Sequence, residues 1–205
     1  MKIFTNHRYA LVTGIILAVI VSLAIDIGSD GQFTFQVSSL ARWVHIVSGV
    51  FWIGLLYYLN AVQVPAMATA TEEASKGGPG PAAIGKYVAP RALFWFRWAA
   101  LVTSVAGAWL LDKNFVHAFA LGTTIEGGSL YHLTIGVGAW LGTIMLFNVW
   151  GIIWPNQKKV LGIKPATDEE KAKARKVALY ASRTNFILSF PMLLCMGGAT
   201  HGLPF

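Results

Sequence analysis

Three histidines in this chain have the type and setting for cofactor chemistry. His45, His132 and His201 each belong to a long uncharged stretch, and each has a glycine one helical turn away: Gly49 at i+4, Gly136 at i+4 and Gly197 at i−4. Neutral imidazole is the usual axial ligand of haem iron. An ionisable group inside an apolar span is costly and faces the bundle interior or water. Glycines beside such residues leave room for a flat macrocycle. Arg42 lies three residues before His45, so both share one helix face, and an arginine there could pair with a haem propionate. His45, His132, His201 and Arg42 are therefore candidate residues for a haem b site, with the three imidazoles as candidate iron ligands. Blander alternatives stay open. The histidines could bond to a neighbouring helix or to interfacial water, the glycines could serve ordinary packing, and Arg42 could snorkel to the interface. His117 reads as a plain loop residue.

A second polar set lies at the other ends of the same stretches. Tyr57, Tyr58, Asn60 and Gln63 follow His45, while Arg97, Asn148, Arg183 and Asn185 occupy the other runs. Two arginines among amides and tyrosines could hold a planar anion, since the guanidinium fork makes paired hydrogen bonds. Arg97, Arg183, Asn185, Asn148 and Tyr57 are the candidate substrate residues. The alternative is interhelical hydrogen bonding with snorkelling.

The elements that must position these groups are membrane spans. No Asp, Glu, Lys or Arg occurs from Trp43 to Thr71, from Gly127 to Gln157 or from Thr184 to Phe205. About 20 apolar residues of helix cross a bilayer core. The chain is 55% hydrophobic and 12% charged, with mean hydropathy +0.57; a soluble domain carries about a quarter charged residues. We read an all-α integral membrane bundle of about five transmembrane helices, roughly 8–27, 38–64, 90–111, 128–154 and 178–200, as a single membrane domain over 1–205. The first run also resembles a signal peptide with a weak site at Ser22-Leu23-Ala24; its length favours a retained helix. Residues 66–89 read as a connector. Thr167-Asp168-Glu169-Glu170 is a capping-box pattern that starts a helix before the membrane.

Charge gives the orientation. Seven of the sixteen basic residues lie between Lys158 and Lys176. With the N-terminus inside, Lys2, Arg8, Lys76, Lys86, Arg91 and that block make twelve inner basic residues against Lys113 alone outside. The positive-inside rule then places the N-terminus in the cytoplasm and the C-terminus in the periplasm. His45, His132, His201 and His117 fall toward the outer face, and His7 toward the inner. The net charge of +7 does not point to nucleic acid, because the basic residues sit between apolar runs rather than on one folded face. The single cysteine, Cys195, excludes an intrachain disulfide, and no C-x-x-C-H haem attachment occurs.

Three blocks carry a family resemblance. Arg42-Trp43-Val44-His45, Gly49, Trp52-Ile53-Gly54-Leu55-Leu56-Tyr57-Tyr58 and Asn60 form the first. Asn148-Val149-Trp150 with Ile153-Trp154-Pro155-Asn156-Gln157-Lys158 forms the second. Ala181-Ser182-Arg183-Thr184-Asn185, Leu188-Ser189-Phe190-Pro191-Met192-Leu193 and His201 form the third. From residue 40 onward the chain resembles the membrane domain of the cytochrome c-linked urate oxidases (urate hydroxylases). Full-length members carry a C-terminal cytochrome c domain; this chain ends at Phe205 and is expected to lack it. The resemblance implies oxidation of urate to 5-hydroxyisourate, with electrons leaving to a separate periplasmic cytochrome c.

The expected function is thus a haem b-binding redox protein of the bacterial inner membrane. Its partners would be the lipid bilayer, a separate cytochrome c and urate. Two other classes stay open. One is a haem-binding membrane enzyme like the four-helix protoporphyrinogen oxidases. The other is a non-enzymatic helical subunit of a respiratory complex.

Overall fold

The structure, a computed structural model, describes residues 2–30 and 35–205. The side chain of Lys2, counted above among the inner basic residues, lies outside the described set. Among the described residues 84% are helical and none form strands. Five helices are long and apolar enough to cross a membrane: α1 (His7–Asp30), α2 (Val37–Ala74), α3 (Ile84–Phe119), α4 (Leu130–Val160) and α5 (Asp168–His201). Close contacts divide the chain into two units, residues 1–37 and 38–205. The first holds α1, whose start is capped by Asn6: its Oδ1 accepts from the Arg8 amide at 2.9 Å, as an N-cap asparagine does. The second contains α2 to α5.

The helices overrun their expected ends. α2 continues into the supposed connector and stops at a Schellman turn. The Gly77 amide donates to the Ala74 carbonyl and the Gly78 amide to the Glu73 carbonyl, with Gly77 at φ 89°, a conformation that favours glycine. Polarity alone does not stop a helix; the Gly77-Gly78 pair does. α5 begins as its sequence pattern requires. Thr167 Oγ1 accepts from the Glu170 amide, and the Glu170 carboxylate accepts from the Thr167 amide.

Three helices contain a π segment, at Leu59–Gln63, Ile84–Val88 and Asn148–Ile153. Each is followed two residues later by a proline: Pro65, Pro90 and Pro155. Proline has no amide hydrogen, and its ring crowds the carbonyl four residues back. Widening the preceding turn relieves that clash without breaking the helix.

The core of the second unit joins Trp52, Leu56, Phe96, Ala100, Met145, Val149 and Met192. Small residues set the closest approaches. A Cβ on Gly138 would stand 3.1 Å from Cys195 Cβ on α5, and one on Gly136 would run into the Ala118 carbonyl. Gly142, four residues after Gly138, has open space around it, so a small residue there serves no contact within this unit.

Candidate functional site

The polar residues of the second unit fall into two layers, named outer and inner after the charge distribution. Helix register fixes the outer one. Tyr57 OH on α2 lies 3.1 Å from Ser189 Oγ on α5. Twelve residues back along α2 is His45, and twelve forward along α5 is His201. Gly138 on α4 meets Cys195 on α5; six residues back is His132, and six forward is again His201. In antiparallel helices equal steps preserve level, so the three histidines share one layer.

Their ring nitrogens differ. His45 Nδ1 lies 2.8 Å from the Thr103 carbonyl of α3. A carbonyl only accepts, so Nδ1 is a donor, and in the neutral ring Nε2 then keeps its lone pair. Nε2 makes no hydrogen bond among the described residues. The ring rests against Gly107, where an added Cβ would come within 2.9 Å of Cε1. An imidazole bonded through Nδ1–H to a backbone carbonyl, with Nε2 free, has the outer-shell support typical of a metal-bound histidine. His45 therefore has the donor arrangement that a haem-iron ligand would need. His132 is placed differently. Its Nδ1 lies 2.7 Å from Ser129 Oγ, the N-cap of α4, and its Nε2 lies 3.2 Å from Asn114 Oδ1. Both nitrogens are engaged, and the ring meets His117 edge to face with centroids 5.6 Å apart. His117 Nδ1 bonds Thr124 Oγ1 at 2.7 Å, so these two histidines brace the outer loop. His201 is exposed at the end of α5. Arg42 is exposed one turn before His45.

The neighbouring glycines also separate. Gly136 is used for packing against Ala118, a Cβ on Gly49 would make only ordinary contact with Thr103 at 3.7 Å, and Gly197 borders open space.

The inner layer is bonded across helices. Asn148 Nδ2 donates to Asn185 Oδ1 at 2.8 Å, and Asn185 Nδ2 donates to the Met145 carbonyl at 2.9 Å. Asn60 Nδ2 donates to the Leu56 carbonyl and to Ser182 Oγ, both at 2.9 Å. Tyr57 stacks on Phe190 and meets Phe186 edge-on. Arg97 stands apart: its guanidinium lies 3.8 Å from the Trp154 ring centroid and 5.3 Å from that of Phe94. It borders a small apolar cleft with Phe96, Val149, Trp154 and Gln157. Arg183 is exposed and does not join Arg97. The structure thus brings Asn148, Asn185 and Tyr57 together along α5 and leaves the two arginines separate.

Thr103 and Gly107 hold His45, and Ser182 and Ser189 of α5 face α2; none of the four was a candidate site residue. Ser182 and Ser189 are seven residues apart, two turns on one face, which was the available signal. Thr103 bonds through its backbone, which no side-chain pattern reveals.

No curated protein and no solved structure matches the chain. The α2 block around His45 lies outside the segment that matches a family model. That segment, residues 118–205, comprises the end of α3 with α4 and α5, and it matches the urate oxidase N-terminal family.

Proposed function

We propose that this chain is a multi-pass redox protein of the bacterial inner membrane, with a cytoplasmic N-terminus and a periplasmic C-terminus. It oxidises urate and delivers the electrons to a separate periplasmic cytochrome c. The family match over residues 118–205 carries the reading, and the placement of His45 supports its cofactor. The net reaction converts urate and water to 5-hydroxyisourate, two protons and two electrons, which reduce two cytochromes.

A haem b bound in the outer layer would supply single-electron relay between substrate and acceptor. For it, His45 offers Nε2, with the Thr103 carbonyl fixing the tautomer and Gly107 giving the ring its place. His201, level with His45 and without a ring hydrogen bond among the described residues, is the second candidate ligand. Arg42 lies on the His45 face for a propionate. His132 holds the loop that closes this end. At the inner end, the Arg97 guanidinium against Trp154 offers donors to a planar anion.

The test is an anaerobic assay of purified protein with urate and a soluble cytochrome c. The reading predicts 5-hydroxyisourate with two cytochromes reduced per urate, and loss of both in His45→Ala. Absence of product and of cytochrome reduction by protein with intact haem would overturn it.

A further inference from the structure

Two cations share one aromatic ring at the basic end of the second unit. The Arg97 guanidinium of α3 lies 3.8 Å from the ring centroid of Trp154 on α4, and Lys158 Nζ lies 5.9 Å from the same centroid. Like charges gathered on one ring repel, and a ring face supplies attraction but no hydrogen-bond acceptor. Among the described residues neither cation has a carboxylate within ion-pair reach. The ion pairs there are Glu72–Lys76 and Asp168–Lys171, while Lys159 and Lys164 act on Glu170. The N–H groups of the Arg97 guanidinium meet no acceptor among the described residues, and they are not among the sealed side-chain atoms.

Depth in the membrane makes that lack costly. Arg97 lies six residues past Arg91 along α3, about 9 Å deeper, and no further charge follows until Asp112. Lys158 is the first charged residue after the uncharged run of α4. The pair therefore spans the edge of the hydrocarbon, where an arginine without a counter-charge is unfavourable. Gln157 lines the cleft beside Arg97, and no carboxylate does. The place suits an anion and offers nothing to an ammonium.

The adjoining surface says which anion. One turn deeper, Trp98 of α3 meets Trp150 of α4 edge-on with centroids 5.3 Å apart, and Trp150 Nε1 donates to the Arg97 carbonyl at 3.2 Å. Trp98 is 43% exposed, so this aromatic seam between α3 and α4 is open to the side. A small inorganic anion would use the cations and leave the seam bare. A phospholipid uses both, with its phosphate on the cations and an acyl chain along the seam. Basic pockets between spans hold acidic headgroups in this way. The headgroup lies over the half-buried side chains of Arg97, Gln157 and Lys158, so it needs no enclosed cavity.

We propose that Arg97 and Lys158, both set against Trp154, bind the phosphate of an anionic phospholipid whose acyl chain lies along the Trp98–Trp150 seam. This goes beyond the urate-oxidising reading and does not depend on it; a planar anion at Arg97 would compete with the phosphate.

The experiment is native mass spectrometry of the full chain in detergent, titrated with dioleoylphosphatidylglycerol or with dioleoylphosphatidylethanolamine. The proteins are wild type, Lys158→Gln, Arg97→Gln and Lys173→Gln, the last an exposed lysine of the same basic block. The first phosphatidylglycerol should bind wild type roughly tenfold more tightly than phosphatidylethanolamine, the scale of one charge-assisted contact. Lys158→Gln and Arg97→Gln should each lose that preference, Lys173→Gln should keep it, and millimolar inorganic phosphate should leave it unchanged. Equal affinity for the two lipids would overturn the proposal. So would an equal loss in Lys173→Gln and Lys158→Gln, which would mean a diffuse basic face, or displacement by inorganic phosphate, which would mean a free-anion site. Lys158→Gln, at the edge of the span, keeps the test valid if Arg97→Gln fails to fold.

Discussion

The outer and inner layers hold their polar groups by different means. In the outer layer separate bonds hold two of the rings: His45 bonds a backbone carbonyl of α3 and His132 bonds the N-cap serine of α4 and Asn114, while His201 has no ring hydrogen bond among the described residues. In the inner layer the side chains bond to one another across α2, α4 and α5. A bond that takes one ring nitrogen leaves the other available, as at His45. Mutual bonding consumes the amides and hydroxyls that make it. The comparison separates residues that could act on a ligand from residues that tie helices together, although both look alike as polar residues in apolar runs.

The largest expected effect divides the outer layer itself. His45→Ala should abolish b-type absorption, whereas His132→Ala should retain it and lower the thermal midpoint, because both His132 nitrogens serve the loop. Visible spectra of the two purified variants check this, and equal loss in both would erase the distinction. Next, Gly136→Ala places a methyl against the Ala118 carbonyl and should destabilise by about 3 kcal/mol, the upper range of overpacking, read by denaturant titration in detergent. Asn185→Ala removes two inner-layer bonds. Interhelical hydrogen bonds in membranes average about 0.6 kcal/mol each, and leaving Asn148 unpaired adds to that, so about 1.5 kcal/mol is expected. A loss far above that would mean that the inner layer dominates stability. Thr167→Ala lies outside both layers and should cost about 1 kcal/mol through the lost cap, with no change in haem spectrum.

Much of the framework was legible in the sequence because a bilayer imposes simple rules. Uncharged runs marked α2, α4 and α5, and Thr167 to Glu170 marked the start of α5. The shared level of His45, His132 and His201 followed from span lengths alone. The helix ends were less legible: α2 runs to Ala74 because Gly77 and Gly78 supply the stop. Which histidine keeps a free nitrogen was not legible, since it depends on Thr103 and Gly107 of a different helix. Arg97 and Arg183 look paired by position, yet one stacks on Trp154 and the other is exposed; the sequence gives depth far better than it gives the face of each helix.

His45 as a haem ligand in the outer layer is the central proposal. The most direct measurement is the haem content of wild-type protein purified from haem-supplemented cells, by pyridine haemochrome spectrum against protein concentration. A b-type spectrum at no less than one haem per chain is expected. Folded helical protein that carries no haem under those conditions would contradict it.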